Sequence, residues 1–234
     1  MGVHDGHRQK MREEFLAGGL DAFSEHRALE LLLFYAIPQA DVNPVAHALI
    51  DEFGSISAVL DAEPEEIMRV PGIGQNAAVL IKLIPQLCRR YLVSKTSLID
   101  IIDSTETAGA YLLPRFHGVK EEIAYLLCMD AKRKLISCKL VGHGSLNSAA
   151  VSVRKVVETA LVQGATSVIL AHNHVSGIAL ASKEDRETTM KLREALALVD
   201  IILLDHLIVA GDDFTSMRDD GLLDISAEAK NGAV

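Results

Sequence analysis

The sequence predicts an α/β (α+β) protein in two parts: an all-helical N-terminal domain over residues 1–95, then a layered domain of strands and helices over residues 105–226. Three observations predict it. Up to about Lys95 the apolar residues recur at helical spacing. After Ser104, short apolar runs of strand length alternate with helical patterns, as layered domains require. Between the two, Ser94 to Ser104 follows neither period and reads as the connection. The chain has 234 residues, 49% of them hydrophobic, which is enough material for two cores.

The helical part is punctuated by its own breakers. Arg8 to Leu16 is amphipathic and stops at Gly18-Gly19. Ser24 opens a helix through Leu29, Leu31 and Phe34, ended by Pro38. Asn43-Pro44 starts another that ends near Gly54, and Ser55 or Ser57 opens a short one ending near Leu60. Glu63-Pro64-Glu65-Glu66 suits a helix start, with proline and acids in the first turn. Val70-Pro71-Gly72-Ile73-Gly74 then precedes a helix from Gln75 to about Leu92, in which Pro85 is a candidate kink.

In the second part, Thr105 to Leu113 has helical period. Glu122 to Met129 and Lys134 to Val141 are apolar runs joined by Asp130-Ala131-Lys132-Arg133, a hairpin. Ala150 to Val162 is a helix, Ser167 to Ala171 a buried strand, Lys183 to Leu198 a helix with a polar face, and Ile201 to Val209 a strand before the turn at Gly211-Asp212-Asp213. The tail after Ile225 is small and polar.

Composition narrows the function classes. The net charge of −9 argues against a broadly basic surface for nucleic acid, though it leaves room for a local phosphate contact. No apolar stretch is long enough to span a bilayer, and the N-terminus carries no apolar signal core, so the expectation is a cytoplasmic protein without a membrane partner. Cys88, Cys128 and Cys138 are scattered and odd in number, and read as reduced thiols.

The chemistry concentrates at one place. His172 and His174 stand two apart at the end of a strand, so their side chains project to one side. Asp185 follows at the start of a helix, within reach of a loop containing Ser176, Gly177 and Ser182. Two imidazoles and one carboxylate leave the fourth tetrahedral position open, the layout of a catalytic zinc site. The bland alternative is a pair of histidines bonded to backbone at a strand end.

The same residues carry a resemblance. His172-x-His174, Ser182 and Asp185 are similar to the His-x-His-x7-Ser-x2-Asp motif of JAMM (MPN+) metalloproteases. The string Ile169-Leu170-Ala171-His172-Asn173-His174 with Ser176-Gly177, and Leu204-Asp205-His206 further on, resemble the RadC family, bacterial proteins named for DNA repair. Gly6-His7-Arg8, Glu30 to Pro38 and Val70 to Gly74 extend the likeness into the first half. The resemblance implies a JAMM/MPN-like mixed sheet flanked by helices behind a helix-hairpin-helix domain. It implies zinc on His172, His174 and Asp185, with Ser182 bonding the oxyanion or the zinc-bound water, and a glutamate leading into an upstream strand. Glu122 fits that place; Glu121 is its neighbour on the opposite face. The chain departs from the family at Val175 and Ala181, where proline is usual, and at Ser152-Val153-Arg154-Lys155, where only Arg154 matches.

Pro71-Gly72-Ile73-Gly74 reads as the turn of a helix-hairpin-helix. Gly72 and Gly74 let a phosphate approach backbone amides at the next helix, and Lys82 adds charge, a contact to DNA that ignores base sequence. A protein-interaction module or a plain connector reads equally well: residues 1–98 hold nine Lys and Arg against thirteen Asp and Glu, a net of −4. Gly142 to Asn147 is either a cleft wall or a turn. Three functions remain open: a zinc hydrolase acting on an unidentified protein or peptide, a zinc-dependent DNA-processing enzyme, and a binding module whose metal is idle.

Overall fold

The computed structural model describes residues 3–144 and 151–223. The chain divides into two compact units, Met1–Cys88 and Arg89–Val234.

The first unit is helical: α1 (Val3–Gly18), α2 (Glu25–Leu33), α3 (Asn43–Phe53), α4 (Ile56–Asp61), α5 (Pro64–Ile67) and the start of α6 (Gln75–Lys95), which is continuous through Pro85. The expected breakers act as expected. Gly54 closes α3 in the left-handed conformation, and the Ser55 hydroxyl accepts from the Ala58 amide at the start of α4. Ser24 precedes α2 without a side-chain cap bond. Met11, Leu29, Leu33, Leu49, Ile67 and Ile81 form the core. Two charged groups are buried beside it. The Arg8 guanidinium donates to the carbonyls of Phe34, Ile37 and Ala40, and the Glu30 carboxylate accepts from His7 and Asn43. These bonds satisfy the chain where α2 ends and turns toward α3, which is why the sequence carries polar residues inside an apolar bundle.

The second unit opens with a short helical turn at Thr96–Leu98. It then runs α7 (Thr105–Phe116), β1 (Ile123–Met129), β2 (Leu135–His143), α8 (Val153–Val162), β3 (Ser167–Asn173), α9 (Lys183–Ala197), β4 (Ile202–Ala210) and β5 (Asp213–Ser216). The strands form one mixed sheet in the order β2-β1-β3-β4-β5, with only β3 and β4 parallel, joined through α9. Strand β5 was not foreseen: four residues following a tight turn are too few to show a period of two. Helices α8 and α9 pack on one face against Leu126, Val168, Leu170 and Leu203; α7 covers the other against Leu127, Ile169 and Leu207. The connection is tied to the β1–β2 turn region by two backbone bonds, the Ile102 amide donating to the Arg133 carbonyl and the Leu135 amide to the Asp100 carbonyl.

Cys88, Cys128 and Cys138 are free thiols, and burial pushes Cys138 up to about 11. Among the described residues, no helix is long and apolar enough to cross a membrane. Ser145 to Asn147 and the tail after Ile225 lie outside the described residues.

Candidate metal centre

Strand alternation and one helix cap assemble the site. On β1, Ala124, Leu126 and Cys128 face α8 and α9, and a period of two puts Glu122 on that side too. On β3, Val168 and Leu170 face the same helices, and so does His172. His174 follows the strand by one residue, its amide donating to the Val209 carbonyl and so extending the β3–β4 alignment. Asp185 arrives from α9. Ser182 is the N-cap of that helix, and the two side chains form a reciprocal cap: the Asp185 amide donates to Ser182 Oγ, and Ser182 N–H and Oγ–H donate to Asp185 Oδ2 at 2.8 and 2.6 Å.

The three candidate ligands converge. His172 Nε2 lies 3.0 Å from Asp185 Oδ1, His174 Nε2 lies 3.2 Å from Asp185 Oδ2, and the two Nε2 atoms are 3.0 Å apart. Zinc bound tetrahedrally at ~2.0–2.1 Å holds its ligand atoms roughly 3.3 Å apart, so the donor set and its spacing fit that ion. His172 is 9% exposed and Asp185 8%. Burial raises the Asp185 carboxyl, but the bond and charge of His172, with the two bonds from Ser182, outweigh it and hold the group far below the usual carboxylate range.

Behind the candidate ligands stands a layer to which the sequence reading gave no role, although His206 belongs to the Leu204-Asp205-His206 string. His172 Nδ1 is 2.8 Å from His206 Nε2, and His206 Nδ1 is 2.6 Å from Thr189 Oγ1, which donates to the Asp185 carbonyl. Burial and the neighbouring His172 push His206 well below the ordinary imidazole range, against the opposing charge of Asp185. Its orientation comes from a bulge. The β3–β4 register skips Leu204, pairing Val168 with Leu203 but Ile169 with Asp205. The extra residue flips the alternation, so that His206 and Ile208 join Leu203 on the side of α9. Strict alternation would have aimed His206 at α7.

Glu122 lies in the wall of the same cleft, about 370 Å³, together with the three candidate ligands, Ser182 and His206. Glu121 points elsewhere, 3.5 Å from His143. Asn173, between the two histidines, holds Glu122 in place: its Oδ1 accepts from the Ile123 amide at 2.8 Å and its Nδ2 donates to the Glu121 carbonyl at 2.9 Å. The Gly144 amide donates to the Glu122 carbonyl. Ile123, Ile178 and Leu180 give the cleft an apolar side. Ser182 has its proton committed to Asp185, so toward a substrate its oxygen is an acceptor.

A model of the RadC-like JAB domain matches residues 102–222. Over 214 residues, 92% of this chain and 82% of the relative, the sequence is 37% identical to a UPF0758 protein of Burkholderia thailandensis. A UPF0758 protein of Pseudoalteromonas translucida is 34% identical over 92% of this chain and 96% of its own length. This chain belongs to the RadC family.

Of the positions where this RadC chain departs from the expected pattern, Ala181 packs against the core beside the Ser182 cap. Val175 is exposed. Ser152 caps α8, accepting from the Lys155 amide, and Arg154 pairs with Glu158 in solvent at 2.7 Å. In the N-terminal unit of this RadC chain, α5 and α6 flank the Pro71–Gly74 turn as expected. Gly72 has φ +93°, and a Cβ there would meet Val45 at 2.8 Å, so this glycine is required by the turn itself. Gly74 has open space where its Cβ would stand. Lys82, expected to face phosphate, instead donates to the carbonyls of Leu60 and Ala62 at 2.6 and 2.9 Å. It closes the end of α4, where an anion would compete with two carbonyl dipoles.

Proposed function

We propose that this protein is a zinc-dependent hydrolase that cleaves a peptide or isopeptide bond by activating water. His172, His174 and Asp185 would hold the ion, and Asp185 Oδ1 is the carboxylate oxygen that Ser182 leaves unbonded. When bound, zinc supplies a Lewis acid that lowers the pKa of a water toward ~7 and polarises the scissile carbonyl. Glu122 accepts the proton from the attacking water and returns it to the leaving amine. Ser182 keeps Asp185 in place. The apolar wall of Ile123, Ile178 and Leu180 seats the chain of the substrate.

The observation that carries this reading is the presence of Glu122 in the cleft of a three-ligand cluster. A structural ion is expected to take four protein ligands, and among the described residues the cluster offers three. The test is to incubate zinc-loaded protein with a peptide library and with isopeptide-linked conjugates, reading cleavage by mass spectrometry. Chelator-sensitive cleavage that Glu122→Gln abolishes supports the reading. Cleavage of branched or nicked DNA with no action on any peptide replaces it with a nuclease.

DNA contact through Gly72 and Gly74 is a separable proposal, supported by the hairpin at the start of α6. The link to DNA repair rests on the family name.

A further inference from the structure

We infer that Thr189 and His206 are positioning residues that fix the tautomer of His172, so that it presents a lone pair and not a proton to the ion. This rests on the zinc reading but is separable from it.

The Thr189 hydroxyl has one proton, and beyond its two close partners Met217 Sδ, a weak acceptor, lies 3.4 Å away. Thr189 Oγ1 lies 2.6 Å from the Asp185 backbone carbonyl, and a carbonyl only accepts, so the hydroxyl proton points there. The same oxygen lies 2.6 Å from His206 Nδ1. With its single proton already committed, Thr189 can only accept from His206, and His206 Nδ1 carries the hydrogen. His206 is buried without a carboxylate bonded to its ring, where a second ring proton is costly. Its Nε2 is therefore a lone pair, 2.8 Å from His172 Nδ1. That contact holds only if His172 Nδ1 carries a proton, so in the zinc-loaded protein, where Nε2 gives up the proton it shares with Asp185, the ring is neutral and its lone pair lies on Nε2. Nε2 is the atom 3.0 Å from both His174 Nε2 and Asp185 Oδ1.

The relay is closed at both ends by the metal site. It begins at the backbone of one ligand, Asp185, and ends on the ring of another, His172. Metal-bound histidines commonly donate their second N–H to a carboxylate, a backbone carbonyl or a water. Here a second imidazole takes that role, and it accepts only because Thr189 forces its other nitrogen to donate. His174 reaches the same tautomer more simply, with Nδ1 3.3 Å from the Ile178 carbonyl.

The test uses the full chain labelled with ¹⁵N-histidine. Long-range ¹H–¹⁵N correlation should show His206 protonated on Nδ1 with and without zinc, and His172 protonated on Nδ1 in the zinc-loaded protein. A His206 protonated on Nε2 overturns the relay. In competition with a chromophoric chelator, Thr189→Val should bind zinc ~10–100-fold more weakly, the usual scale for an outer-layer partner. Thr189→Ser should restore binding, because the hydroxyl and not the methyl carries the effect. Wild-type affinity in Thr189→Val overturns the inference. Should that variant fail to fold, the wild-type tautomers decide. Failure of the wild type to take up zinc overturns the hydrolase reading and not the relay, whose His206 tautomer is read in metal-free protein.

Discussion

Arg8 and His172 are both polar residues of short motifs, both almost fully buried, and they are used in opposite ways. Arg8 gives its N–H groups to the carbonyls of Phe34, Ile37 and Ala40, and Glu30 beside it is closed by His7 and Asn43. There, donors and acceptors of this chain meet one another. At His172, His174 and Asp185, atoms with lone pairs are instead aimed at one another, 3.0 to 3.2 Å apart, inside a cleft. Such an arrangement costs free energy unless a cation or protons sit between them. Burial of charged motif residues therefore does not separate chemistry from architecture, whereas the direction of the lone pairs does.

The largest effect that would break this comparison is loss of the ion. Purified protein should hold close to one zinc per chain by elemental analysis, and His174→Ala should lose most of it. Full retention of metal after replacing both His172 and His174 would place the ion elsewhere. Next comes Glu122. Glu122→Gln keeps size and hydrogen bonding, so zinc content should not change while hydrolysis falls about 10²-fold or more. Glu121→Gln should leave the rate near wild type, because that carboxylate lies by His143 outside the cleft wall. The opposite pattern would exchange the roles of the two residues.

Arg8→Leu should act on the other side of the comparison. It leaves three carbonyls without their donor, at ~1–3 kcal/mol for each that water cannot reach, so thermal unfolding of the N-terminal unit should move down by several degrees. Zinc content should not move. A variant that unfolds normally but loses zinc would show that Arg8 serves the metal site after all.

The three clustered residues were visible in the sequence as a spacing. His172 and His174 are two apart on a strand, and Ser182 and Asp185 stood out through the resemblance to the His-x-His-x7-Ser-x2-Asp motif; that they also cap α9 reciprocally emerges only in the structure. Glu122 came from the resemblance, and strand alternation served only to separate it from Glu121. The outer layer obeys no such rule. His206 faces the site only because Leu204 is an extra residue in β4, and a bulge leaves no mark in a run of apolar residues. Asn173 sits between two conspicuous histidines, and its bonds to the backbone on either side of Glu122 depend on strand pairing across fifty residues. Lys82 was misleading for a related reason: the carbonyls it closes belong to the end of α4, twenty and more residues upstream.

The smallest expected effect concerns the hairpin, and the two glycines separate its alternatives. Gly72 cannot test a phosphate contact, since any side chain there strains a left-handed residue and meets Val45, so a loss of binding would only report a damaged turn. Gly74 has neither constraint. A Cβ at Gly74 would stand in open space at the start of α6, where a phosphate would approach the amides. Gly74→Ala should therefore leave stability unchanged or raise it by ~0.4–1 kcal/mol, through the unfolded chain. With Lys82 held by two carbonyls, the wild type has one or two phosphates to neutralise. The slope of log K against log salt for duplex DNA should then be no steeper than about −2, from ~0.9 per phosphate, and independent of sequence. Filter binding or fluorescence anisotropy at low salt would measure it on the full chain. If Gly74→Ala weakens this binding at unchanged stability and zinc content, the hairpin touches phosphate. If wild type and variant are equally inert at low salt, the hairpin is a turn packed on Val45 that serves as a connector or a protein-binding module, and not a phosphate contact.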